Sequence, residues 1–587
     1  FSTRDKNFNE KISQKLIKHC LSDPPNLQQQ VSFGLSYLLD SLNDDLNIEN
    51  SEFAFYLKIF IQELNAAASG SAVLGFLLVM QNLTVKYQTE SKSDELFTQI
   101  LTIEAVAGSL VKQLFIEYAG RVSENSTNND FKILDLIISL IHNLTYFDLI
   151  ALAEDNIDTF VKNFLQIIKF PSKSGSKNYS NIISLKSRVM DTINFYVQQY
   201  SSDIQNQKTE IFNSIMDQLV NNADFELLND VLVSKYFKYL TLICVDSDMN
   251  SILSQTDVLK IICSQISLKN LNLQESTIES FDETPQEYVL SELINLESNS
   301  RRKACSDFLK TFSSNFEHLV VPFFVNIFEE LVASFYQNKS ENWRDFEKAL
   351  TILYSVCSKG YTRKYGATDC PKNVDINSII LRHVHPKIKD HQNTNPILLT
   401  TCLKLICVFR SFFDATNLKS MLQDILACFV SSSPTVVLFA AYTFNKLLLC
   451  AKTFVGQGKL SNLDEIAELM PEVLKHLMMT TLSPKNADHN ILNENDILVN
   501  AIIHIFVIFR SKAIMIIAND FDSIIKTLTA KLLEISENIS KPLFYHSLYE
   551  LLALLIRISW EINSQSITIF EAHLFPMFDV FFSKQLD

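Results

Sequence analysis

Three chemistries have residues close enough together in this sequence to be weighed first: phosphate binding, metal binding and thiol chemistry. Gly456-Gln457-Gly458-Lys459 has the look of a phosphate loop, but that loop needs Gly at 453 and Ser or Thr at 460, where the chain has Thr453 and Leu460. It reads as a glycine-containing connector between helices. His383, His385 and His391 follow Cys370, yet their spacing fits no zinc framework, and they read as surface histidines. Cys402 and Cys407 share no helix face well and sit among apolar residues, so they read as buried structural thiols. The 10 cysteines are scattered without the density of a disulfide framework, which points to a reducing compartment. No Gly-x-Ser-x-Gly elbow, kinase set or His-Glu-x-x-His pair is found, so the reading is a non-enzyme with no catalytic residue, no metal and no cofactor.

What remains is a charge pattern. Between Asn270 and Ser300 there is no Lys or Arg but there are 7 acidic residues: Glu275, Glu279, Asp282, Glu283, Glu287, Glu292 and Glu297. Arg301, Arg302 and Lys303 follow at once. Such a run either offers carboxylates to a basic partner or is a solvated acidic loop.

The elements that would carry this segment are helices. Phe521, Ile524, Ile525, Leu528, Leu532 and Ile535 fall on one stripe, with Asp522, Lys526, Lys531 and Glu534 opposite. Ile133, Leu134, Ile137, Ile138, Ile141, Leu144 and Leu418, Leu422, Ile425, Leu426, Phe429 form similar stripes, and no window sustains a period of two. Short polar connectors let each helix pack only on its sequence neighbours. Proline recurs in or at the start of apolar runs at Pro322, Pro386, Pro471 and Pro576; Pro386 to Pro471 and Pro322 to Pro576 are close to two and six units of roughly 42 residues. That period predicts an all-α HEAT-repeat superhelical solenoid of the armadillo-like kind. Ser172–Ser180, Leu268–Ser300 and Gly456–Asp464 are its longer connectors.

Composition agrees. A chain of 587 residues exceeds one compact core, 47% hydrophobic content suffices for a continuous one, and Gly (10) and Pro (13) are too scarce for a turn-rich β fold. A net charge of −15 repels nucleic acid and anionic lipid, so basic proteins are the natural partners unless the acidity serves solubility alone. The longest uncharged stretch, Asn65 to Val85, carries too many polar side chains for a membrane span, so no membrane insertion is expected. The sequons at Asn82 and Asn143 lie in apolar helical stretches and read as chance. An opening without Met and an abrupt end after Phe575–Phe582 read as a piece of a longer chain.

Phe281-Asp282-Glu283-Thr284-Pro285-Gln286-Glu287-Tyr288, then Asn299-Ser300-Arg301-Arg302-Lys303-Ala304-Cys305, resembles a Phe-Glu-Asp-x-x-x-Glu-Tyr stretch followed by Arg-Arg-x-Ala. That pattern belongs to the CAS-type exportin-2 family, the importin-α re-exporters of the importin-β superfamily. Asn342-Trp343-Arg344-Asp345, Lys359 to Gly366, Lys541-Pro542-Leu543-Phe544-Tyr545-His546 and Phe570-Glu571-Ala572 are similar to further family stretches in the same order. Upstream, Asp155 to Phe160 and Asp230 to Ser234 continue the likeness, which spans about 140 to 587. The resemblance implies a receptor that carries importin-α out of the nucleus with RanGTP and releases it on GTP hydrolysis. It also implies nucleoporin FG repeats as a further partner and shuttling between nucleus and cytoplasm. The family's N-terminal and last repeats would lie outside this chain.

The family's hinge insertion corresponds by position to Leu268–Ser300. Phe281 and Tyr288 would then anchor it, Asp282, Glu283 and Glu287 would face basic partners, and Arg301, Arg302 and Lys303 would pair with the acidic run or with Ran. The expected organisation is one continuous array: 1–267, an acidic insertion at 268–303, and 304–587. An import receptor of the same superfamily and a HEAT scaffold outside transport are the competing readings.

Overall fold

The computed structural model describes residues 6–22, 24–42, 48, 51–123, 126–172, 175–221, 229–293, 300–457, 463–482, 492, 495–536 and 541–584. Glu297, Asn299, Gly458, Lys459 and Leu460, named above, lie outside them.

Helix formation follows the stripes. In Asn128–Leu144 the side chains of Phe131, Ile133, Leu134, Ile137, Ile138, Ile141 and Leu144 are all buried. Its start is fixed by a reciprocal cap: the Asp130 amide donates to Thr127 Oγ1 (3.3 Å) and the Thr127 amide to Asp130 Oδ2 (2.8 Å). Asn143, a sequon residue, is fully buried and donates to Thr84 Oγ1 at 3.0 Å, consistent with a chance match. Among the described residues there is no strand, only two isolated bridges, Lys359 to Asp369 and Thr362 to Gly366.

The chain divides into two compact units, Phe1–Ile266 with Asn299–Phe308, and Ser267–Ser298 with Leu309–Asp587. Counting helices of nine residues or more, unit 1 holds α1 (Lys6–Ser22), α2 (Pro25–Asp40), α3 (Glu52–Ala67), α4 (Gly70–Thr84), α5 (Asp94–Arg121), α6 (Asn128–Leu144), α7 (Ile157–Lys169), α8 (Tyr179–Gln199), α9 (Lys208–Val220) and α10 (Asp230–Cys244). They pair as α1 with α2, α3 with α4, α5 with α6, α7 with α8 and α9 with α10. One member of each pair also stacks on the next, giving a row α2, α4, α6, α8, α10. This is the HEAT-type arrangement the periodicity predicts.

Unit 2 opens with α11 (Glu275–Glu283) and α12 (Pro285–Leu293) and takes the second half of α13 (Arg301–Asn315). Then come α14 (Glu317–Gln337), α15 (Trp343–Cys357), α16 (Pro396–Val408), α17 (Ala415–Leu426), α18 (Pro434–Gly456), α19 (Met470–Leu482), α20 (Asp496–Phe509), α21 (Phe521–Ser536), α22 (Pro542–Ile562) and α23 (Ile567–Lys584). Here the continuous row is α15, α16, α18, α20, α22. Pro322 and Pro576 sit inside α14 and α23, and Pro471 is the second residue of α19. Pro386 follows a π turn at Ile380–Val384, where its missing N–H and ring disturb the i to i−4 ladder.

Two expectations need correcting. Leu268–Ser300 is not a simple connector, because α11 and α12 fill most of its described part. The expectation of no membrane span rests on Asn65 to Val85 alone and passes over longer apolar helices. Asp94–Arg121, Glu317–Gln337 and Pro434–Gly456 are long and apolar enough by length and composition. In α18 that apolarity serves packing, since 78% of its apolar window is buried against neighbouring helices.

Candidate binding surface

The acidic segment forms a two-helix strap laid on the α15–α16–α18–α20 row. The turn between its helices is short: Thr284 closes α11 by donating to Ser280 O (3.0 Å), and Pro285 starts α12, where a missing N–H costs nothing. Phe281 and Tyr288 flank this turn with ring centroids 5.1 Å apart, edge to face, and both are buried. Tyr288 also lies 6.2 Å from the Phe439 ring of α18, and Thr435 Oγ1 donates to the Phe281 carbonyl at 2.6 Å. Burying an aromatic side chain of this size stabilises by roughly 1.5–3 kcal/mol, so this pair is the anchor.

Polar contacts spread the strap along the row. Glu275 meets Arg344 of α15 at 3.0 Å, Glu292 meets Lys404 of α16 at 2.6 Å, and Gln286 Nε2 donates to Asp496 Oδ1 of α20 at 3.0 Å. The Glu275 pair is exposed and weak, whereas the Glu292 pair is largely shielded. Burial pushes the Asp496 carboxyl up, and the bond from Gln286 opposes that shift.

Asp282, Glu283 and Glu287 are exposed, as is Glu279, and among the described residues none of the four makes an ion pair. The strap therefore spends Glu275 and Glu292 on attachment and keeps a set of carboxylates facing outward. Arg301, Arg302 and Lys303 belong to the other unit. They open α13 inside unit 1, where Arg301 is buried and its Nε meets Asp230 Oδ1 at 2.6 Å. Cations in a first helical turn oppose the macrodipole, and Asp230 offsets that. The expectation for the trio is pairing with the acidic run or with Ran; Asp230 is one partner of Arg301, Arg302 is also buried and Lys303 is half-buried.

The row is not uniformly acidic. Lys404 lies 4.6 Å from the Tyr354 ring, and Lys310 stacks over the same ring at 4.2 Å.

The histidines set aside above do not converge. His383 shares a hydrogen bond with the Tyr336 hydroxyl (3.2 Å), and His385 meets Asp424 at 2.6 Å. His385 is buried, which corrects its reading as a surface residue. Among the described residues no group of three or more His, Cys, Asp or Glu could hold a metal. Nine cysteines are buried and Cys370 is half-buried. Cys357 hydrogen-bonds to Cys370, which raises its own pKa well above the usual thiol value and lowers that of Cys370.

Sequence reasoning missed Arg344, Lys404, Thr435, Phe439 and Asp496. They stand 69 to 210 residues from their strap partners, and no local pattern announces such contacts.

A family profile described as Cse1 matches residues 83–444, and one described as CAS/CSE protein, C-terminus, matches 446–586. Exportin-2 of Pagrus major is 25% identical over 582 residues, and Exportin-2 of Xenopus laevis is 27% identical over 588. Each alignment takes in 97% of this chain but 57% of the relative's length. Among solved structures, the exportin Cse1 in its cargo-free, cytoplasmic state superposes with TM-score 0.73 at 21% identity, covering 98% of this chain and 62% of that one. Lph2, a bidirectional nuclear transport receptor of S. cerevisiae, gives TM-score 0.65 at 13% identity, covering 97% and 58%. These superpositions carry the helical-repeat fold.

Proposed function

The chain belongs to the CAS/CSE family, and from that premise we propose that it works as a nuclear transport receptor exporting importin-α together with RanGTP and releasing it on GTP hydrolysis. It would shuttle between nucleus and cytoplasm. The observation that carries this reading is the strap: a buried Phe281–Tyr288 anchor holds Asp282, Glu283 and Glu287 in the open, and among the described residues no cation pairs with them. Fixed, outward carboxylates on a chain of net charge −15 raise the encounter rate with basic proteins and select their orientation. Fastening the strap to several helices of the row supplies a route for coupling, since small shifts between stacked pairs would alter its contacts.

The groove between α14 and α15, about 610 Å³ and lined by Phe324, Phe328, Val332, Ile352, Leu353 and Val356, is where we place the aromatic side chains of nucleoporin FG repeats. Its size and apolar walls suit a ring.

A pull-down on immobilised chain tests the direction of transport. RanGTP is expected to increase importin-α capture, and RanGDP is not. Expulsion of a bound protein by RanGTP would instead mark an import receptor, and indifference to Ran would favour a scaffold outside transport.

A further inference from the structure

Just past the end of α16 lies a cation that, among the described residues, no acid balances. Arg410 is fully buried; its guanidinium donates to Cys407 O at 2.5 Å and Arg363 O at 2.7 Å and reaches Cys407 Sγ at 4.0 Å, while Nε has no partner among the described residues. Burying an arginine without a counter-charge is unfavourable, and the surrounding structure must offset it. The bond to Arg363 O pins the loop from Lys359 to Asp369 against α16. The loop's Ala367 amide adds a bond to Val408 O at 2.8 Å. Gly366 makes that approach possible: its φ is +76°, and a Cβ there would lie 2.1 Å from Val408 O.

Pinned in this way, the loop exposes Tyr361 and Arg363, and the pinning Arg410 abuts α18, whose Cys450 Sγ donates to its carbonyl at 3.6 Å. Lys446 of α18 stacks on the Tyr442 ring at 5.0 Å. Burial lowers the Lys446 pKa, and the nearby Arg410 and Arg363 guanidiniums lower it further. Burial also raises the Tyr442 and Tyr361 phenols, with Arg410 opposing both shifts. Among the described residues neither Arg363 nor Lys446 forms an ion pair.

We propose that Tyr361, Arg363, Tyr442 and Lys446, backed by buried Arg410, form a docking site for an acidic segment of a partner protein, its carboxylates on the cations and an apolar side chain between the tyrosines. Charge complementarity chooses the occupant: an incoming carboxylate supplies the counter-charge these cations lack, and the tyrosine faces favour an apolar or aromatic neighbour. A single-stranded nucleic acid also suits cations and rings. It fits less well here, because Glu292 already occupies Lys404, Glu550 stands near His504, and the chain is acidic overall. The site goes beyond the export reading, which needs a basic partner at the strap, and the two can fail separately.

Fluorescence anisotropy on the whole chain decides it, with a short labelled peptide of Glu, Asp, Leu and Phe, a counterpart in which Lys and Arg replace the acids, and oligo(dT). The acidic peptide is expected to bind, more weakly as salt rises. The double variant Arg363→Glu with Lys446→Glu should lose about tenfold or more, as removal of paired charges does. Asp282→Lys with Glu283→Lys and Glu287→Lys should leave the peptide's affinity at least as high. Arg363→Gln with Lys446→Gln removes charge without reversing it, so a clear loss there keeps the result readable if the reversal misfolds. Absence of acidic-peptide binding, equal binding of the basic peptide, insensitivity to both double variants, or tighter oligo(dT) binding at the same residues would each overturn the assignment.

Discussion

Lys186 shows how a single buried charge sets the behaviour of its surroundings. It is fully buried in α8, and among the described residues its ammonium reaches only Ser172 Oγ at 3.5 Å and Gln218 Oε1 at 3.1 Å. Desolvation pulls its pKa down to about 8 from 10.5. A lowered folded-state value means that between these limits the unfolded chain holds more protons, so stability rises as pH climbs from about 8 to about 10.5. The whole effect is of the order of 3 kcal/mol. Lys186→Met should therefore raise Tm at pH 7, and its advantage should shrink toward pH 10. A constant or growing advantage in melts across that range would refute the account. The sequence gives no sign of this residue's burial, because Lys186 looks like any polar position on a helix until the side chains of Ser172 and Gln218 close over it.

At the scale of elements, the strap depends on its aromatic pair and the Lys359–Asp369 loop on its glycine. Replacing Phe281 and Tyr288 together with Ala removes two buried rings, each worth about 3–5 kcal/mol in a well-packed site. The expected result is faster amide exchange across α11 and α12, with little change in α22, measured by hydrogen–deuterium exchange. Unchanged protection in α11 and α12 would mean that the polar contacts to Arg344, Lys404 and Asp496 suffice. Gly366→Ala places a Cβ against the Val408 carbonyl at a positive φ, a cost of the order of 1–3 kcal/mol. Proteolysis should then cut the 359–369 loop faster than in the wild type, while equal rates would contradict the fit. The anchoring residues were legible in outline: an acidic run with Phe281 and Tyr288 spaced for one turn stands out in the sequence. The helices around them were not, because stretches of nine residues with few apolar positions carry too weak a period. Their order comes from α18, which lies far along the chain. Arg301 pairs with Asp230 from 71 residues away, a long-range contact that spacing does not encode.

At the scale of the molecule, the recurrence of stripes and prolines was enough to name a helical-repeat array, since each pair depends mainly on its neighbours. Charge was legible only as a sum. A net charge of −15 suggests a uniformly acidic lining, whereas the row in unit 2 alternates the open carboxylates of the strap with the cations around Tyr354 and Tyr442. Partner choice then rests on local sets of charges rather than on the total. The most direct test of the strap as the basic-partner surface is a titration of importin-α, with RanGTP present and absent, against the wild type and against Asp282→Lys, Glu283→Lys, Glu287→Lys. The account predicts tighter importin-α binding with RanGTP for the wild type, and a loss of about 1–3 kcal/mol of that coupling in the triple variant, whose fold is intact by circular dichroism. Identical titrations for the two proteins would contradict it.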